Sequence, residues 1–316
     1  MEIISGLHNL RPRHKGCVLT IGNFDGVHRG HQRLIDHLQA QSQKMQLPTT
    51  LMTFEPQPRE FFAGAVLPAR LTRFREKVHL LERTGLDRLL CVPFNEQTSQ
   101  IPAEWFAEEF LTELVGAQYV VIGDDFRFGH ARKGDFQLLQ NTGARLGYEV
   151  ISVDTVLQGG DRVSSTLVRS TLSAGDFAKA AELLGHEYFI MGRVVYGRQL
   201  GRQLGVPTAN VKLQRYRAAL QGVYCVTVDG VTEDDRSVQG IANIGVRPTV
   251  DGKEPLLEVH VFDFSDDLYG RRIRVTFKHK LRDEQTFASV DLLKQQIDAD
   301  LLSARRWFAE SALVLD

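Results

Sequence analysis

At 316 residues the chain is long enough for two domains, and its 43% hydrophobic content argues against global disorder. Its 38 basic and 39 acidic side chains leave a formal net charge of −1, which removes the usual electrostatic argument for a nucleic-acid binder. No run of 18 apolar residues occurs, and residues 1–10 lack a basic stretch followed by an apolar core, so neither a membrane span nor a secretory leader is expected. Cys17, Cys91 and Cys225 are odd in number and far apart, and each sits in an apolar run, as core thiols of a reduced cytoplasmic protein do.

Apolar, β-rich runs recur at residues 17–21, 49–54, 88–92, 119–123 and 148–153, with helical patterns between most of them. Residues 32–44 form the first such pattern. Residues 73–84 place Phe74, Val78, Leu80 and Leu81 on a broad stripe that stops at Gly85. Residues 102–114 open with a proline suited to a first turn and carry Phe106, Phe110 and Leu114 at helical spacing. This alternation predicts a doubly wound parallel sheet, in which ligands bind beyond the C-terminal strand ends. Between the first strand and first helix lies Gly22-Asn23-Phe24-Asp25-Gly26-Val27-His28-Arg29-Gly30-His31. Its glycines let backbone approach a ligand closely, and a helix start offers free N–H groups to phosphate. The spacing alone fits an ordinary structural loop equally well, and a metal pair would need a third ligand that is not nearby.

His28-Arg29-Gly30-His31 matches the HxGH motif of the nucleotidyltransferase superfamily, and residues 22–31 resemble the N-terminal module of bacterial bifunctional riboflavin kinase/FAD synthetases. That resemblance makes His28 and His31 catalytic, with Gly22, Phe24, Asp25 and Gly30 around the ATP phosphates. Residues 53–59 leave the second strand through Pro56 and Pro58, and with Phe61 and Phe62 they offer an apolar wall for a flat ring. The family uses this region for flavin, which implicates Pro56, Pro58 and Phe62; many members carry His where this chain has Gln57. Gly123-Asp124-Asp125-Phe126-Arg127-Phe128-Gly129 resembles the family's GxxFxFG segment, with Asp125 at the ribose or base contact. Residues 162–169 resemble the ISSxxxR motif, which implies phosphate roles for Arg162, Ser164, Ser165 and Arg169.

After a helical run over 177–184 that ends at Gly185, the periodicity changes. Residues 188–196, 222–228, 238–244, 256–264 and 271–278 read as short strands without intervening helices, which predicts a small antiparallel barrel. Residues 290–310 carry Leu293, Ile297, Leu301, Trp307 and Phe308 near helical spacing after a capping Ser289, which predicts a terminal helix. The expected boundary is at Gly185: residues 1–185 and 186–316. A tandem repeat over 197–205, with Gly201 and Gly205, suits either a phosphate-covering loop or a plain flexible one. The following Pro207-Thr208-Ala209-Asn210 matches the PTAN motif of riboflavin kinases, where Thr and Asn support Mg²⁺ and the ATP phosphates.

Glu258 and His260 lie on the opposite side of a strand from Leu257, Val259 and Val261, as any solvated face would. The segment resembles the family's E-x-H, which makes Glu258 the general base toward the riboflavin 5′-hydroxyl. Residues 243–249 and 281–287 also match family segments, implicating Asn243, Arg247, Arg282 and Glu284 near the flavin. The implied activity is phosphorylation of riboflavin to FMN and adenylylation of FMN to FAD, with ATP, FMN and riboflavin as small-molecule partners and Mg²⁺ as cofactor. Nucleic acid and membrane are not expected partners, and self-association stays open. A single-activity nucleotidyltransferase with an accessory barrel, or a flavin-binding sensor, are the competing readings.

Overall fold

The runs that read as strands are nearly continuous stretches of buried aliphatics, the signature of strands covered on both faces. The computed structural model describes residues 1–62, 67–197, 205–234, 236–249 and 252–313. In chain order its first elements are β1 (Glu2–Ser5), β2 (Cys17–Ile21), α1 (Arg29–Met45), β3 (Thr49–Glu55), α2 (Pro58–Phe62), α3 (Phe74–Glu82) and β4 (Arg88–Pro93). There follow α4 (Glu96–Ser99), α5 (Ala103–Trp105), a π-helix (Phe106–Leu114), β5 (Ala117–Gly123), α6 (Phe136–Leu146), β6 (Glu149–Val153) and the two-residue strands β7 (Leu157–Gln158) and β8 (Asp161–Arg162). Then come α7 (Ser165–Ala174) and α8 (Phe177–Leu184). The chain divides into two compact units, Met1–Pro68 with Lys77–Ser165 and Ala69–Glu76 with Thr166–Asp316.

In the first unit β1 to β6 form one parallel sheet of order β1-β4-β3-β2-β5-β6. Leu19, Ile21, Met52, Leu90, Val92, Val120 and Ile122 point to one face, where Phe106, Phe110, Leu111 and Leu139 cover them. Helix α1 packs against β2, β3 and β5 through its buried Ile35 and Leu38. The sheet is thus doubly wound, as expected, with an additional edge strand, β1, that four residues of mixed character do not announce. Helix α1 starts three residues earlier than its periodicity suggests, because His28 caps it with its own side chain. The run after Pro102 continues as a π-helix, whose Val115 N–H reaches the Phe110 carbonyl at 3.1 Å.

In the second unit β9 (Phe189–Val195), β10 (Ala209–Lys212), β11 (Gly222–Asp229), β12 (Val238–Thr249), β13 (Gly252–Val261) and β14 (Arg272–Arg282) close into an antiparallel barrel. Its order is β10-β13-β12-β11-β14-β9. The inner face holds Tyr224, Val226, Ala242, Leu257, Val259, Val275 and Phe277, all buried. The five expected strands are present, and the sixth, β10, begins within the PTAN segment, at Ala209. Helix α9 (Val290–Leu313) lays Ala304, Trp307 and Phe308 on the outer residues Val223, Cys225, Ile241 and Phe262. Ser289 caps it by accepting the Leu292 N–H at 3.2 Å.

Residues 69–76 join this unit through a buried ion pair. Both Arg215 and Glu76 side chains are 1% exposed, and one guanidinium nitrogen meets both carboxylate oxygens at 2.9 Å. The carboxylate also accepts the Met191 and Arg73 backbone N–H groups at 2.9 and 2.6 Å, which satisfies its remaining lone pairs. Removing one partner strands the other charge in the interior, so Arg215→Ala should cost about 3–5 kcal/mol. The measurement is the urea midpoint of barrel unfolding. The double variant Glu76→Met with Arg215→Met should recover most of the loss, and an unchanged midpoint in Arg215→Ala would remove the pair from the account.

Candidate active sites

Successive connections leave β2 toward β3 and leave β5 toward β6, so the winding reverses between the neighbours β2 and β5. A crevice opens there because no crossover covers it. The glycine-rich loop occupies it. Phe24 and Val27 both adopt positive φ, 46° and 45°, and Gly26 lies at 87°. For a β-branched valine this is a strained conformation that the surroundings must impose. Phe24 is fully buried, and Ser165 Oγ donates to the Asp25 carbonyl at 3.0 Å, which pins the loop from the start of α7. A Cβ at Gly22 would press on the Phe24 ring at 3.1 Å, which explains glycine there.

His28 caps α1, its Nδ1 accepting the His31 backbone N–H at 3.4 Å. That bond leaves Nε2 as the nitrogen of the ring that can donate outward. The His28 and His31 rings stack at 3.6 Å with 16° between planes, and His31 leans on Phe24 at 4.9 Å. Gly30 lies directly beneath: a Cβ there would meet the His28 ring at 3.2 Å. His31 is half-buried, but its Nδ1 is shut off from solvent without a hydrogen-bond partner. Burial holds its pKa well below the usual histidine value, helped by the charges of His28 and Lys77. A pair of stacked imidazoles at the positive end of a helix can present N–H donors to phosphate oxygens.

On the β3 and β4 side, Phe94 is the hub of an aromatic cluster: Phe54, Phe61 and Phe62 meet it edge-on at 5.5 to 5.6 Å. Phe62 is 67% exposed, so this wall has an open apolar face. Pro56 precedes it and Pro58 begins α2. Gln57 beside them is buried, its Nε2 unpartnered. On the β5 side, Arg162 bridges Asp125 at 2.9 Å and Asp124 at 3.3 Å, and Asp125 is largely exposed. Ser164 directly precedes α7, and Arg169 within α7 donates to the Ala69 carbonyl. The topology therefore sets an aromatic wall, an imidazole pair and an Asp–Arg latch side by side along one sheet edge.

In the barrel, register does the assembling. Asn210 on β10 lies opposite Glu258 on β13, and Glu258 lies opposite Asn243 on β12. Directly opposed residues share a face, so three polar side chains form one row outside the apolar interior. Asn210 is buried, and a Cβ at Gly197 would collide with its amide. His260, two residues from Glu258, meets the Pro207 carbonyl at 2.8 Å through Nδ1, which ties β13 to the segment entering Thr208. Glu284 accepts from Gln221 at 2.9 Å and packs over Gly245, beside Asn243. Gly205 lies at φ 82° before this segment. The hydroxyl, amide and carboxylate oxygens of Thr208, Asn210 and Glu258 are the donor types that magnesium takes. Among the described residues there is no cluster of three His, Cys, Asp or Glu.

Arg282 donates to Asp300 of α9, with bonds of 2.7 to 3.0 Å that anchor the helix. Arg247 sits in β12 opposite Glu254, with its side chain outside the described part. Gly201 lies outside the described residues. Sequence reasoning did not single out Phe94 or Lys77. Only Lys77 carried a signal: with Phe74, Val78 and Leu81 it takes the i, i+3, i+4, i+7 positions of an apolar stripe.

Residues 10–167 match the FAD synthetase family and residues 184–308 the riboflavin kinase family. The chain is 49% identical to the bifunctional riboflavin kinase/FMN adenylyltransferase of Escherichia coli (strain K12), over 98% of each chain. It is 50% identical to that of Pseudomonas fluorescens, over 99% of each. Its fold resembles a solved Streptococcus pneumoniae structure described as a macrolide-efflux protein, with a TM-score of 0.80 and 31% identity over 97% of this chain and 100% of that one. Among the described residues of this chain, no helix is long and apolar enough to cross a membrane.

The lowered pKa of His31 has a thermodynamic consequence. Its folded-state pKa lies below its unfolded one, so the unfolded state binds the proton more readily. The contribution is complete above about pH 6.5 and is lost as pH falls from there through the folded-state value. Urea midpoints of the first unit should therefore fall from pH 7.5 to 5, less steeply in His31→Asn. Identical slopes would contradict a buried neutral ring.

Proposed function

The chain belongs to the bifunctional riboflavin kinase/FMN adenylyltransferase family and is an ATP-dependent transferase with both activities, and we propose that its halves divide them near residue 185. Riboflavin, FMN and ATP are its substrates. Residues 1–185 carry adenylyl transfer and residues 186–316 carry the kinase. A cytoplasmic location accords with three buried cysteines that form no disulfide.

In adenylyl transfer an FMN phosphate oxygen bonds to the α-phosphorus of ATP while the bond to the β-phosphate oxygen breaks, releasing pyrophosphate. Two anions approach each other and charge grows on the leaving group. N–H donors fixed at those oxygens stabilise this arrangement more than the separated reactants. The observation that carries the reading is the stacked His28–His31 pair between an aromatic wall and an Asp–Arg latch. The Phe61–Phe62–Phe94 wall takes the isoalloxazine ring. Asp125 addresses the ribose or base. Gly22, Phe24, Asp25 and Gly30 shape the phosphate seat, joined by Arg162, Ser164, Ser165 and Arg169.

In the kinase reaction the riboflavin 5′-oxygen bonds to the γ-phosphorus, the bond to ADP breaks, and the hydroxyl proton passes to Glu258. The opposed placement of Asn210 and Glu258 supports this division of labour. Asn243, Arg247, Arg282 and Glu284 surround or brace the flavin, and Gly201 and Gly205 flank the phosphates. Mg²⁺ held by Thr208, Asn210 and ATP oxygens would screen the γ-phosphate against the incoming hydroxyl.

Purified protein with riboflavin, ATP and Mg²⁺ should yield FMN and then FAD on a chromatogram; binding without turnover would favour a sensor. His31→Ala should slow FAD formation by roughly 10²–10³-fold, the effect of losing one oxyanion donor, and an unaltered rate constant would refute that role. Glu258→Ala should slow FMN formation by roughly 10²–10⁴-fold while FAD formation from supplied FMN persists. Equal loss of both activities would indicate misfolding or a wrong division.

A further inference from the structure

Pairing between β10 and β13 runs from Lys212 opposite Leu256 to Ala209 opposite Val259, and there it ends. One further step in register would set Thr208 against His260. The residue before it, Pro207, has no N–H with which to carry a ladder on. A side chain takes over at that point: His260 Nδ1 meets the Pro207 carbonyl oxygen at 2.8 Å. A carbonyl oxygen only accepts, so the ring donates from Nδ1 whether or not it carries a charge. The ring is half-buried and meets the buried Phe262 edge-on at 5.9 Å, which braces it. The bonded oxygen belongs to the same peptide plane as the Thr208 nitrogen. Holding that oxygen therefore sets the plane from which Thr208 projects its hydroxyl. On β13 the alternation of side chains puts His260 on the same face as Glu258. One strand thus carries both the carboxylate and the grip on the segment that bears Thr208.

We propose that His260 is a positioning residue for the kinase reaction, whose Nδ1–H clamp on the Pro207 carbonyl fixes the Thr208 hydroxyl relative to the Glu258 carboxylate. This deepens the assignment of the barrel to phosphoryl transfer and rests on it. In that reaction the γ-phosphate, gathered at Thr208 and Asn210, has to meet a hydroxyl held at Glu258. A displacement of about 1 Å between the two is enough to slow such a step severely. The clamp removes that freedom at the one place where the backbone ladder gives out. It acts on the Thr208 side as an outer partner acts on a metal ligand, by orienting a group it does not replace. The role requires an N–H donor at this point of β13 and not a ring that titrates. Asparagine, whose amide nitrogen sits where Nδ1 does on the side chain, can supply it.

The test uses the full chain. In protein with ¹⁵N-labelled histidine and no nucleotide, at alkaline pH, the His260 ring should carry its proton on Nδ1; the signal is identified by its loss in His260→Asn. The Mg²⁺ concentration for half-maximal FMN formation is then measured at saturating ATP and riboflavin. His260→Ala should raise it by about 10–100-fold, with a smaller fall in kcat once Mg²⁺ is saturating. His260→Asn should return it close to the parent value. The urea midpoint of barrel unfolding reports whether each variant is intact. If His260→Ala does not fold, the ring spectrum and the Mg²⁺ requirement of His260→Asn decide the matter. A ring protonated on Nε2 alone, an unmoved Mg²⁺ requirement in a folded His260→Ala, or a raised requirement in His260→Asn would each overturn the proposal. A separate outcome, full FMN formation in Glu258→Ala, would sink the assignment of the kinase base, while the ring spectrum would still decide whether the clamp exists.

Discussion

A parallel sheet wound in two directions must somewhere reverse, and at the reversal two neighbouring strands send their connections apart. Here that place is between β2 and β5, and the first site follows from it. The loop after β2 ends in a helix cap, so imidazoles arrive where backbone N–H groups already favour an anion. The neighbouring strands then fix what can lie on either hand. The ends of β3 and β4 supply phenylalanine rings, and the end of β5 supplies aspartates that hold Arg162. One topological constraint thereby orders the aromatic wall, the imidazole pair and the aspartate–arginine pair along a single edge.

The second unit solves a similar problem with register. In a closed antiparallel barrel every strand has two neighbours, and a residue facing outward on one must face outward on the residues it opposes. Asn210, Glu258 and Asn243 are far apart in sequence yet lie in one row because β10, β13 and β12 are paired as they are. Moving one strand by a single residue would turn Glu258 into the apolar interior. The buried packing of Leu257 and Val259 forbids that slip, so the same side chains that close the barrel also hold the carboxylate in place. Burial of Asn210 against Gly197 does the equivalent for the amide.

Much of this was legible in the chain because the relevant signals are local. Period-two alternation, helix stops such as Gly185 and the motif strings around His28 and Asn210 are each read within a short window of the sequence. The unread parts depend on contacts between distant segments. Residues 209–212 look like a motif and not a strand, because Asn and Lys are poor strand markers; pairing with β13 and β9 makes them one. Phe94 matters because β4 neighbours β3, which no window of sequence shows. Arg282 reads as part of a segment near the flavin, and its ion pair with Asp300 on α9, a partner 18 residues on, carries no local signal. Lys77 was visible as a charge on an apolar stripe, but only the fold shows that it donates to Thr53 on β3.

The account centres on the crevice at the β2–β5 reversal, and the most direct measurement is a crystal structure of the protein with FMN and an ATP analogue whose α–β bridge cannot be cleaved. The account predicts the α-phosphate oxygens within about 3 Å of the His28 or His31 ring nitrogens and the flavin against Phe62 and Phe94. A triphosphate seated in that unit away from both imidazoles, or a flavin away from the aromatic wall, would contradict it.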